Sequence, residues 1–346
     1  MKNQRIQWPL LLLLMLALPT SLFAYKKKVA QAGMTYLSIS LGARESALGD
    51  ATVASVRGIQ GLFYNQATLA DIEGFALVAN QVNWLVDTKL YGIGAAYSLG
   101  DWGTIGLDLV YMDYGVIQGT RRVDKSIDER GFELTGDLAI QDYAVGISYA
   151  YRISDRFAFG GKVKIAHEDL GEAAYATDIY VDPETGQEKL VYETKRWKVT
   201  HLGFDFGGLY YTGYKSLAFA FAFQNFSTDI KFYAEEFQMP LVLRMGLSAD
   251  LADWLTPDND NLQINFAVDA LHPNDNLERV YVGTEVILMK KFAIRGGYKF
   301  NHDVESYSFG MGINFSYAGM NYTLDYAYGS TNYFKDVSRF SLKFSF

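Results

Sequence analysis

The sequence predicts an all-β fold: a 14-stranded antiparallel transmembrane β-barrel with an N-terminal plug of short helices and turns. Three observations carry this. After residue 73, segment after segment alternates large apolar with small or polar side chains, the period-two mark of a wall with two unlike faces. The connections between segments alternate between tight turns and longer polar stretches. Aromatics make up 15% of the 346 residues, with 25 Tyr and 23 Phe, as interfacial girdles around an apolar band require. Beyond the N-terminal region, no run approaches the ~20 apolar residues of a membrane helix.

Residues 1–24 read as a secretory signal peptide. Lys2 and Arg5 form a basic region, Leu10 to Leu18 is almost unbrokenly apolar, and Ser21 to Ala24 ends on a small residue suited to cleavage. The apolar run is too short to cross a bilayer as a stable helix. No Cys lies near the cut, which excludes a lipid anchor. The mature chain is expected to start at Tyr25, and loss of Lys2 and Arg5 takes the formal charge from −8 to −10. A basic nucleic-acid footprint is therefore absent. With no Cys, neither a disulfide framework nor thiolate chemistry is available.

Residues 25–73 are expected to form a hatch inside the barrel. Gly33–Glu73 is rich in Gly, Ala and Ser and reads as short helices and turns. Eight strands enclose a lumen that side chains fill, and sixteen leave an aqueous channel, so fourteen need a plug. Left in water, this segment would expose Tyr36, Leu37, Ile39, Leu41, Leu48, Leu62, Phe63 and Tyr64.

Residues 74–346 supply the wall. Strands are expected at 75–83, 89–99, 103–116, 137–153, 157–167, 195–211, 216–227, 239–250, 262–270, 279–289, 292–300, 306–317, 321–328 and 337–346. In the twelfth, Tyr307, Phe309, Met311, Ile313, Phe315 and Tyr317 alternate with Ser and Gly. In the seventh, Leu217, Phe219, Phe221 and Phe223 alternate with Ala. The two faces of the first do not separate cleanly. The last alternates to a terminal Phe346 and resembles the signal by which bacterial outer-membrane barrels are recognised for insertion. Short turns on one side and the long segments 117–136 and 168–194 on the other place both termini in the periplasm. Leu251–Asn261 is long for a turn and reads as an ordered turn or a contact loop.

The plug segment contains Gly42-Ala43-Arg44, then Leu48-Gly49 and Ala51, and later Asn65-Gln66-Ala67 followed by Leu69-Ala70. This arrangement resembles the start of the PorV/PorQ family, which belongs with the FadL-like barrels of fourteen strands and an N-terminal hatch. The family has Pro where this chain has Gln66, so a rigid helix start is lost here. The hatch-motif residues are Gly42, Arg44, Gly49, Asn65 and Ala67. Asn65 is placed to cap a short helix from Gln66 to Ile72. Arg44 needs a carboxylate, and Asp108, Asp205, Asp269, Glu285 and Asp325 fall on expected inward faces. So do the cations Lys162, Lys164, Arg244, Arg295, Lys299, Arg339 and Lys343.

The resemblance implies a non-enzymatic outer-membrane protein that shuttles or anchors secreted and surface proteins in type IX-like secretion. Its partners would be outer-membrane lipid and secreted proteins or secretion components. The alternative is FadL-like transport of hydrophobic small molecules such as fatty acids. Phe232, Tyr233 and Phe237 in the loop Asp229–Gln238 form a candidate external contact, to a partner, to lipid or back over the barrel mouth. No catalytic, cofactor or metal site is expected. His167, His201, His272 and His302 are scattered, Gly-x-Ser-x-Gly is absent, and His272 near Asp275 and His302 near Asp303 give only a faint acid–base pattern. Asp258-Asn259-Asp260-Asn261 lacks the Gly and Glu of a calcium loop.

Overall fold

A computed structural model of the chain describes residues 32–346, apart from 127, 185, 187, 232–234, 258 and 260. The expected signal peptide and Tyr25 lie outside the described residues. Fourteen antiparallel strands close into a barrel in chain order. They are β1 Phe75–Asn83, β2 Lys89–Ser98, β3 Thr104–Asp113, β4 Gln141–Ser154, β5 Phe157–Val181, β6 Glu188–Tyr211 and β7 Ala218–Phe226. The second half is β8 Val242–Asp250, β9 Leu262–Pro273, β10 Arg279–Leu288, β11 Phe292–Phe300, β12 Glu305–Tyr317, β13 Met320–Thr331 and β14 Val337–Ser345. β14 pairs with β1, from Ala76 opposite Ser345 to Asn83 opposite Ser338, and closes the ring.

The outward face is apolar, as a wall surrounded by hydrocarbon must be. Tyr307, Phe309, Met311, Ile313, Phe315 and Tyr317 of β12 all point out, whereas Ala218, Ala220 and Ala222 of β7 are fully buried on the inner face. β1 reads ambiguously because its inner face is itself apolar: Ala76 and Val78 pack on Ile59, Leu62, Leu69 and Ile72 of the plug, and Val82 packs with Met34, Tyr36 and Leu41. No helix among the described residues is long and apolar enough to cross a membrane, which says nothing about strands.

The short connections share one end of the barrel with Phe75 and Phe346, here the turn end; the other is the loop end. At the turn end, Leu251–Asn261 contains one helical turn, Ala252–Leu255. At the loop end the polar stretches are not irregular. Residues 117–138 form a ribbon of Ile117–Arg122 on Phe132–Leu138. Residues 168–194 continue β5 and β6, 25 and 24 residues long, as a paired ribbon beyond the wall. A ribbon wet on both faces has no apolar side, so its strands leave no period-two signal.

Residues 32–74 occupy the lumen. A short 3-10 turn (Thr35–Ser38) leads to the helix α1 (Ala43–Ala47), then to 3-10 turns at Gly58–Leu62 and Gln66–Asp71. Inward glycines let plug backbone touch wall backbone. A Cβ on Gly283 would lie 2.2 Å from Leu48 O, and one on Gly297 would lie 2.0 Å from Gly49 N. Gly49 has φ +62° and would itself place a Cβ 2.6 Å from Tyr298 N, so it is restricted twice.

Gly297→Ala is therefore expected to unseat the plug and cost ~1–3 kcal/mol of unfolding free energy in detergent. Gly296→Ala should be near neutral, because its Cβ meets only the Phe309 ring at 3.8 Å. Denaturant unfolding followed by tryptophan fluorescence measures both.

Candidate functional site: the plug seat and the cavity above it

The plug is hydrogen-bonded to strands around the whole circumference. Ala43 N donates to Ser341 Oγ of β14 (2.8 Å), Gly49 N to Ser308 Oγ of β12 (3.2 Å), and Thr52 N and Val53 N to Asp269 Oδ2 of β9 (2.7 and 2.8 Å). Ser248 Oγ of β8 donates to Ala54 O, and Gln224 Nε2 of β7 to Phe63 O. Gln60 Nε2 reaches Asn80 Oδ1 of β1 at 2.8 Å, and Tyr36 Oη donates to Tyr143 O of β4. At the turn end Asp71 is ion-paired with Arg152 of β4 and accepts from Tyr211 of β6.

Arg44 makes the central ionic contact. Its Nε and Nη2 meet Glu285 Oε1 and Oε2 at 3.0 and 2.7 Å, a two-point fork. Glu285 also accepts from Arg295 Nε (2.6 Å), Arg295 reaches Asp325 (2.7 Å), and Asp325 holds Lys343 (2.9 Å). Nearer the loop end, Lys299 joins Asp50 of the plug to Glu305, which also holds Arg339 at 2.8 Å. Arg339 Nε in turn donates to Ser40 O of the plug at 3.0 Å.

Of the five carboxylates placed by sequence on inward faces, Glu285 holds Arg44 and Asp269 holds plug backbone. Asp108, Asp205 and Asp325 do not meet the plug through a charge. Asp108 faces Lys162 and Asp205 faces Lys164, each at 2.8 Å, and Asp325 lies between Arg295 and Lys343. Their neighbours across the wall are closer and already cationic. Glycines make these contacts possible: a Cβ on Gly146 would strike Asp108 and Lys162, and one on Gly312 would strike Asp325 and Arg295. Spacing along one strand cannot announce such pairs: Asp108–Lys162 and Arg295–Asp325 cross an intervening strand, and Asp205–Lys164 and Asp325–Lys343 join neighbouring strands on a diagonal.

The remaining motif residues are structural in placement. Gly42 N donates to Tyr64 Oη at 2.8 Å. Asn65 Oδ1 caps the turn Gln66–Asp71 by accepting from Ala67 N (3.1 Å), and its Nδ2 donates to Val53 O. The turn is 3-10, not α. Ala67 is fully buried, with its backbone against Gly160 of β5. Gln66, where the resembled family has Pro, donates to Leu62 O at 3.2 Å, and its Oε1 finds no partner.

Phe232 and Tyr233 lie outside the described residues. Phe237 belongs to a small ribbon, Ile230–Lys231 on Glu236–Phe237, which folds back over the loop end against Met34 and Tyr36. His272 contacts Glu278 at 3.2 Å on the surface, not Asp275. His302 Nδ1 accepts the backbone N–H groups of Val304 (3.2 Å) and Glu305 (3.0 Å) and so shapes the β11–β12 connection rather than joining Asp303. Asp258 and Asp260 lie outside the described residues.

Above the plug, at the loop end, is a cavity of about 270 Å³ lined by Leu37, Ile39, Trp84, Arg244, Lys299 and Glu305 among others. A smaller one of about 60 Å³ lies beside it, and Arg244 lines both. Arg244 was legible as an inward cation but not as a residue lining both spaces, which it does with Leu37, Ile39, Gln224 and Asn225 among others.

No protein-family model and no curated protein matches the chain. Solved structures do. The toluene transporter TodX of Pseudomonas putida superposes with a TM-score of 0.56 at 13% identity, covering 92% of this chain and 99% of that one. The TodX monoaromatic hydrocarbon channel deltaS2 mutant gives 0.53 at 14% identity, over 88% and 97%. The likeness is one of fold alone.

Two outcomes are expected. Glu285→Ala strands Arg44 and Arg295 and should cost ~3–5 kcal/mol, with the Arg44→Met, Glu285→Met pair recovering part of the loss; denaturant unfolding measures it. Burial, with Lys299 and Arg279 nearby, pushes His302 down from 6.5 to about 3. The folded ring stays neutral while the unfolded one gains a proton, so stability is full above pH 6.5 and lost as pH falls toward 3. The slope approaches about 1.4 kcal/mol per pH unit and should flatten in His302→Gln, read by unfolding at stepped pH.

Proposed function

We propose that the chain is a plugged outer-membrane barrel that receives or anchors secreted and surface proteins, as the PorV/PorQ family it resembles does, with both termini in the periplasm. Residues 1–24 are its cleaved signal, 25–73 its hatch and 74–346 its wall. Gly42, Arg44, Gly49, Asn65 and Ala67 fix the hatch. The observation that carries this reading is the closure of the lumen: plug and wall are bonded on every side, and the strand ladder closes around them. A conduit needs a path, whereas a scaffold needs rigidity and something to present. The ribbon of β5 and β6 beyond the wall is what this barrel presents.

A second reading, passage of hydrophobic small molecules, is favoured by the fold shared with TodX and by Leu37, Ile39 and Trp84 on the cavity wall. The charged groups facing the same space weigh against an oily cargo.

Gentle detergent extraction from the native membrane, with mass spectrometry of co-purifying proteins and lipids, separates the two. Stoichiometric surface or secretion proteins are expected. The barrel alone with a hydrophobic molecule would reverse the ranking. In planar bilayers the wild type should show no steady conductance, while Arg44→Ala with Asp269→Ala should raise open events by tenfold or more.

A further inference from the structure

The inward cations of the wall obey one rule with one exception. Lys162, Lys164, Arg295, Lys299, Arg339 and Lys343 each have a carboxylate within 2.9 Å. Arg244 has none within 4.0 Å and, among the described residues, donates no hydrogen bond. Its Nε and Nη1 are shielded from solvent and unpartnered. Two shielded nitrogens without acceptors are costly, and the half-buried guanidinium leaves room for a group that supplies oxygen atoms.

The surroundings say what would fit. On β8, Arg244 is opposite Leu271 of β9, which is opposite Arg279 of β10, so two guanidinium groups flank one leucine across three strands. Arg279 Nε is also unpartnered; its Nη2 touches Asp303 at 3.3 Å, and that carboxylate is 65% exposed. The acids facing the same space are Asp50, Asp275, Asp303 and Glu305. Asp50 and Glu305 are held by Lys299, and Glu305 also by Arg339. Asp269, diagonal to Arg244, spends Oδ2 on the plug backbone, and its buried Oδ1, itself without a hydrogen bond, lies more than 4.0 Å from the guanidinium nitrogens. The cavity also carries Ser38, Ser40, Gln224 and Asn225. At about 270 Å³ it lies just below the size range of drug-sized ligand pockets.

We propose that this cavity binds a small polar oxyanion, a carboxylate or phosphate, held by the fork of Arg244 with Arg279 as the outer contact. The site is independent of whether the barrel anchors a protein or passes a solute.

The test uses the full-length barrel in detergent, titrated calorimetrically with sodium succinate, sodium phosphate and sodium chloride at equal ionic strength. Saturable binding of succinate or phosphate is expected, weakened tenfold or more in Arg244→Gln, partly restored in Arg244→Lys, and unchanged in Lys335→Gln on the outer surface. Which of the two binds more tightly assigns the oxyanion. Heat-modified gel mobility confirms that each variant is folded. If Arg244→Gln fails to fold, Arg279→Gln is read in its place and should weaken binding severalfold. Equal response to chloride, equal binding by wild type and variants, or no binding would overturn the proposal.

Discussion

The structure depends on neutralising charge in a closed space. Fourteen strands give a lumen too wide for wall side chains alone, and the inner face carries many ions. The plug resolves both. Arg44 enters a chain of contacts that runs from Glu285 on β10 through Arg295 on β11 and Asp325 on β13 to Lys343 on β14. Asp50 does the same for Lys299, Glu305 and Arg339. Each buried ion is tolerable only while its partner remains, so removing one member exposes the rest to an unbalanced interior. These contacts fix where the plug sits more than they add to net stability.

Glycine is the other half of that arrangement. Gly146 and Gly312 leave room for ion pairs to reach across a strand, while Gly283 and Gly297 let plug backbone touch wall backbone. In an ordinary sheet these residues weaken a strand. Here they make the inner wall a relief into which a specific segment fits.

Much of the wall was legible because hydrocarbon on one side and a packed lumen on the other enforce period two, as in β7 and β12. The signal fails where that contrast fails. β1 is apolar inside because it packs on Leu62 and Ile72, and the outer parts of β5 and β6 are wet on both faces. Of the candidate site, Asn65 could be read from a local backbone need, a cap, whereas Gly49 entered only through the motif and its left-handed backbone is seen in the structure. Which carboxylate meets Arg44 could not, since Asp108, Asp205, Glu285 and Asp325 look alike in sequence and are sorted only by which cations the assembled barrel brings near each. Arg244 was visible as an inward charge, but its lack of a partner is a property of the assembled barrel.

The bonds from plug to final strand also bear on how the molecule comes together. Ala43 N and Ser341 Oγ are 298 residues apart, and Asn80 meets Ser341 across 261. All other neighbours in the wall are consecutive in the chain, so the seam and the plug contacts carry the large loop-closure cost. The first segment made is thus a core that waits for the last strand. The seam between β1 and β14 acts as a clasp, and closing it locks the contents in place.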